Sequence, residues 1–152
     1  MTANKTARTY RISAGTLRWL RTLAEREQKS DQREVCGLIV SEDSVRIRLI
    51  YLRNEALGAG EFVISGQSLE SAARRARGRG MKVLGTFHSH PISEAISGPR
   101  DFQTAKSGSL MLIYDVCGRQ ARLWEIHDLR GRPHAREPTL DVIRRPQDIV
   151  EV

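Results

Sequence analysis

The unbroken apolar run Val35-Cys-Gly-Leu-Ile-Val40 constrains this chain more than any other stretch. A short segment that is apolar at every position suits a central strand, covered on both faces of a sheet. Immediately after it, Val45, Ile47, Leu49 and Tyr51 alternate with Arg46 and Arg48, the period of a neighbouring strand. Other elements arrange themselves around this pair. Ser13 caps a helix whose apolar residues Leu17, Leu20, Leu23 and Ala24 recur at helical spacing, ending before the polar stretch 29–33. A short strand is expected over 61–64. A helix rich in alanine and arginine follows over 67–77 and stops near Gly78 and Gly80. The stretch 81–90 reads as a further strand. Pro99 opens a short helix through Ala105, and strands over 109–116 and 120–126 join at Cys117-Gly118-Arg119.

The resulting order is α, β, β, β, α, β, α, β, β, an α/β chain built on one sheet flanked by helices. At 152 residues and 39% hydrophobic, it has material for one core. The domain is expected to run over 10–130. An extension over 131–152, punctuated by Pro133, Pro138 and Pro146, reads as partly irregular. No apolar run approaches the roughly 18 residues of a membrane span, and the polar N-terminus lacks a secretory apolar segment. A soluble, cytoplasmic protein is therefore expected. Cys36 and Cys117 are too few and too distant for a disulfide framework, and both read as small buried hydrophobes. Trp19 and Trp124 fit buried faces of their elements, and His127 and His134 fit the surface.

The net charge of +7 favours acidic partners. Arg74, Arg75, Arg77, Arg79 and Lys82 gather where the second helix ends, a place where cations complement the helix dipole and are easily solvated. With few aromatics to stack bases, nucleic-acid binding is not favoured.

Chemistry concentrates in Thr86-Phe-His88-Ser-His90-Pro91. Two histidines two residues apart on a strand project from one face, so both imidazoles can reach one ion. A bare pair of this kind also arises from one core histidine and one solvated one. Asp101, at the start of the expected short helix, offers a third ligand, or else a carboxylate stabilised by the helix dipole. Two histidines and a carboxylate leave a fourth tetrahedral position open for water, the mark of a catalytic zinc site. Glu34, directly before the apolar strand, is either a solvated strand end or a general base beside that water.

Together these residues resemble the JAMM, or MPN-plus, metallopeptidase signature: an upstream glutamate, His-Ser/Thr-His-Pro, then a serine and an aspartate at fixed spacing. The resemblance covers roughly residues 10–127 and includes Asn54 and the Phe62 segment in its flanking pattern. It implies one zinc ion with a bound water, held by His88, His90 and Asp101, with Glu34 as base. It implies a mixed, curved sheet similar to the cytidine-deaminase layout. The implied reaction is hydrolysis of the peptide or isopeptide bond after the C-terminal tail of a ubiquitin-like or sulfur-carrier-like protein. A domain of this size resembles stand-alone bacterial and archaeal members, which implies E1-like or E2-like enzymes as further partners. One position departs: Gly98 stands where the family has its oxyanion-stabilising serine, leaving Ser97 next door or the Gly98 backbone N–H to serve. Two alternatives stay open, a non-catalytic zinc-bound scaffold and a DNA-associated member of the superfamily, although the latter branch has His-Asn-His-Pro. Zinc deaminases require a Pro-Cys-x-x-Cys pair that this chain lacks.

Overall fold

A computed structural model describes residues 8–31, 33–56, 62–90, 108–129 and 132–144. Among these the chain runs β1 (Thr9–Ser13), α1 (Ala14–Asp31), β2 (Cys36–Ser41), β3 (Arg48–Leu52), α2 (Gly66–Gly78), β4 (Lys82–His90), β5 (Leu110–Asp115), β6 (Gln120–Leu129), β7 (Arg132–Arg136) and β8 (Thr139–Ile143). Six strands form a mixed sheet in the order β3-β2-β4-β5-β6-β7, in which only β4 and β5 run parallel. β1 and β8 make a separate parallel pair.

As expected, the central position falls to the apolar run. Every residue of β2 is buried, between β3 on one side and β4 on the other. α1 covers one face of the sheet, where Leu20 and Ala24 meet Ile12, Ile39, Phe87, Leu112 and Leu123. α2 covers part of the other, where Ala72 and Ala76 pack on Leu38, Val40 and Leu52. Gly37 makes the first of these interfaces possible. It lies opposite Phe87, and a Cβ there would collide with the Ile50 carbonyl and the Phe87 ring.

Both helices start where their serines allow. The Ser13 hydroxyl accepts the Thr16 N–H at 3.0 Å, and the Ser65 hydroxyl accepts that of Ser68 at 3.1 Å. α1 continues to Asp31, past the expected stop before Lys29, because a polar turn without Gly or Pro does not break a helix. α2 exceeds its expected 67–77 by one residue at each end.

Several expectations are corrected. β1 was not anticipated, although Tyr10 and Ile12 alternate as buried residues with exposed Thr9 and Arg11. The stretch after Arg130, expected to be partly irregular, supplies β7 and β8. Pro133 is accommodated because β7 is an edge strand, and Pro138 occupies the bend between the two strands. Residues 45–47 pair with β1 before β3 begins, through bonds from Arg11 N–H to the Val45 carbonyl and from Ile47 N–H to the Arg11 carbonyl. The described part of the expected strand 61–64 lies outside any strand, tied by Glu55 N–H to the Val63 carbonyl at 2.8 Å. Cys117 is exposed on the β5–β6 turn, where turn geometry rather than side-chain character sets accessibility. Trp19 and Trp124 are half-buried, packed against opposite faces of the sheet. The expected helix from Pro99 to Ala105 lies outside the described residues.

Candidate active site

The C-terminal end of β4 carries His88 and His90 on one strand face, with Phe87 and Ser89 on the other. Both imidazoles are buried, and their Nε2 atoms stand 3.0 Å apart. Two nitrogens bound to one tetrahedral zinc at the usual bond lengths are about 3.3 Å apart, so the pair fits a shared ion with a shift of a few tenths of an ångström. The Phe62 ring stacks on His88, with centroids 4.6 Å apart and planes inclined by 23°.

Strand pairing brings Glu34 to the same place. β2 and β4 are antiparallel with Cys36 opposite His88, so extending that register by two residues sets Glu34 opposite His90, on the same face. The extension is hydrogen-bonded. The Ser89 N–H donates to the Val35 carbonyl at 2.9 Å, and the Ser89 hydroxyl accepts the Val35 N–H at 2.8 Å. Ser89 is fully buried and committed to the backbone beside Glu34, a supporting role rather than that of a nucleophile. Glu34 is itself only 7% exposed, unusual for a carboxylate, and it borders a cavity of about 160 Å³ shared with Glu27, Arg33, Tyr51, Arg53 and Asn54. A buried carboxylate on the strand next to one that carries two buried imidazoles supplies residue types suited to acid–base chemistry.

Cys36 lies on the same face, but burial, reinforced by the Glu34 charge, pushes its thiol up to about 12. It is a neutral thiol that donates to the Leu52 carbonyl, as its reading as a small hydrophobe requires. His127 and His134 sit opposite each other on β6 and β7, away from β4, and His127 contacts Glu125 at 2.8 Å. Asp101, Ser97 and Gly98 lie outside the described residues. Among the described residues, no group of three or more His, Cys, Asp or Glu side chains is placed to hold a metal. Sequence reasoning missed what Asn54 and Phe62 touch. A signal existed in their membership of the flanking pattern, but contacts across β2, β3 and β4 are not visible in one dimension.

Residues 16–127, spanning both the Glu34 and His88 strands, match the family model for prokaryotic homologs of the JAB domain. The chain belongs to this family. Other comparisons agree with it. This JAB-domain chain is 26% identical over 73 residues to a desampylase of Pyrococcus furiosus, and the match covers 48% of this chain and 52% of the desampylase, about half the length of that curated relative. Its fold is similar to the solution structure of a protein from Desulfitobacterium hafniense, with a TM-score of 0.72 at 17% identity, covering 91% of this chain and 96% of that one. It is also similar to the crystal structure of a JAB1/MPN domain protein from Archaeoglobus fulgidus, with a TM-score of 0.55 at 22% identity, covering 88% and 98%. The α/β JAB/MPN fold is thus shown. Among the described residues, no helix is long and apolar enough to cross a membrane.

Proposed function

We propose that this JAB-domain chain is a zinc-dependent isopeptidase that releases the C-terminal tail of a ubiquitin-like or sulfur-carrier-like protein from an amine. The observation that carries the reading is the buried pair of imidazole nitrogens, 3.0 Å apart, on the strand face that register extends to Glu34. The desampylase relative supports a modifier protein as substrate. In this reading His88, His90 and Asp101 hold the metal. A zinc ion bound there supplies Lewis acidity toward the scissile carbonyl and the attacking water. Glu34 accepts the proton from that water and returns it to the leaving amine. Ser97, or the backbone N–H of Gly98, serves as oxyanion donor. E1-like or E2-like enzymes of the same pathway are the further partners this reading implies, and the cytoplasm is the compartment.

Gly98 favours a second reading, a zinc-bound scaffold without turnover. One experiment separates the two. Metal content and cleavage of a ubiquitin-like fusion are measured for the wild type, Glu34→Gln and His88→Ala, with and without a chelator. The isopeptidase reading expects zinc in the first two proteins, loss of zinc in the third, and cleavage only by the metal-loaded wild type. Zinc without cleavage across a panel of modifier fusions selects the scaffold, and a wild type without zinc sinks both.

A further inference from the structure

We infer that Asn54 and Phe62 form one clamp that positions Glu34 and the His88 ring relative to each other. The inference rests on the zinc reading for its functional meaning, but not for its geometry. β2 and β3 pair as far as Cys36 and Leu52, and the same register carried two residues further sets Glu34 across from Asn54. There the ladder has ended, and a side chain replaces it: Asn54 Nδ2 donates to the Glu34 carbonyl at 2.9 Å. At the other end of the same carboxamide, Oδ1 accepts the N–H of Ala56 at 2.9 Å and of Val63 at 3.1 Å. A carbonyl at one end and two N–H groups at the other define which way the amide points.

Val63 adjoins Phe62, whose ring stacks on His88. The 62–65 segment belongs to no strand, and the Val63 side chain is 51% exposed, so its own burial does little to fix it. Two hydrogen bonds to 54–55 do so instead: Val63 N–H to Asn54 Oδ1, and Glu55 N–H to the Val63 carbonyl. Asn54 is itself buried, so its carboxamide is held in the interior. One amide thus grips the backbone of the candidate base and the backbone beside the ring that covers a candidate ligand. The stack restricts rotation of the His88 imidazole and holds its Nε2 toward His90. Orienting groups around metal ligands typically contribute about 10- to 100-fold in metal affinity.

The test separates the two arms of the clamp. Asn54→Asp keeps an acceptor for Ala56 and Val63 but loses the donor to Glu34. Phe62→Leu removes the stack alone, and Asn54→Ala removes both. The His88 ring proton resonances are read by NMR in the metal-free proteins, and Zn2+ affinity is read by chelator competition. Phe62→Leu and Asn54→Ala are expected to shift the His88 resonances to a similar new position as the ring current is lost, and to weaken zinc binding about 10- to 100-fold. Asn54→Asp is expected to keep the His88 resonances and zinc affinity near wild type while slowing cleavage. An Asn54 that merely held a loop would lower melting temperature without moving the His88 ring. Unchanged His88 resonances in a folded Asn54→Ala protein overturn the inference. If that variant fails to fold, His88 resonances in Asn54→Asp that move as in Phe62→Leu overturn it equally. A wild type that takes up no zinc refutes the proposed function, and the ring resonances still decide the clamp.

Discussion

Replacing Ser89 by alanine tests whether the two strands of the candidate site are latched to each other. The Ser89 hydroxyl accepts the Val35 N–H at 2.8 Å, and both residues are buried to within 1% of complete. Truncation leaves that N–H in the interior without its acceptor, where water does not replace it, at a cost of about 1–3 kcal/mol. In a domain of this size each kcal/mol moves the melting temperature by about 2–4 °C, so a fall of about 2–12 °C is expected. The assay is urea unfolding followed by tryptophan fluorescence and circular dichroism, with an unchanged m-value showing that the native state is equally compact. Cleavage by the proposed isopeptidase should fall without vanishing, because Ser89 separates two ligand candidates and touches the residue after Glu34, yet attacks nothing. A loss below about 0.5 kcal/mol, the range of ordinary surface substitutions, would refute the latch. Abolished cleavage in a folded, zinc-loaded Ser89→Ala protein would refute its supporting role.

Gly37→Ala should destabilise by about 1–3 kcal/mol or more, since the new methyl group meets the Ile50 carbonyl and the Phe87 ring; an unchanged melting temperature would show that this packing is looser than described. Native protein treated with iodoacetamide at pH 8 should gain one adduct, on exposed Cys117, with Cys36 labelled only in denaturant; two adducts by mass spectrometry of native protein would contradict the burial of Cys36. The N–H groups of Arg46 and then Val45 hold the Asp43 carboxyl below its ordinary range. Its folded value is therefore depressed, and its contribution is present above the unfolded value of about 3.9 and lost as pH falls through the folded one. The difference in urea midpoint between wild type and Asp43→Asn should accordingly shrink between pH 6 and pH 2.5, and a constant difference would contradict the assignment.

β2, β4, β5 and β6 were legible in the sequence because each is an apolar or alternating run bounded by turn residues. The histidine pair was legible because two-residue spacing on a strand has one geometric meaning. β1 and β8 were not, because each is stabilised by the other from the far end of the chain, and an alternation only five residues long does not name so distant a parallel partner. Prolines misled in the same region: Pro133 signals a loop until the strand is known to be an edge. Glu34 shows where the family resemblance had to carry the argument, since its burial and its place opposite His90 depend on the β2–β4 register rather than on its neighbours.

That register also accounts for how the fold concentrates polar groups. Buried polar side chains are costly unless hydrogen-bonded, so a core usually spreads or excludes them. Here Glu34, Asn54, His88, Ser89 and His90 are all buried at one end of the sheet. Antiparallel pairing puts the start of β2 and the end of β4 side by side, so residues far apart in sequence share that end without a long loop to hold them. Asn54 donates to the Glu34 carbonyl and Ser89 accepts the Val35 N–H, so each places one hydrogen bond on the backbone at Glu34, where regular ladder bonding runs out. The parallel β4–β5 pair adds a second consequence. With Gly85 opposite Leu110 and His90 opposite Asp115, the chain leaves β4 at the histidine end and re-enters the sheet at the opposite end.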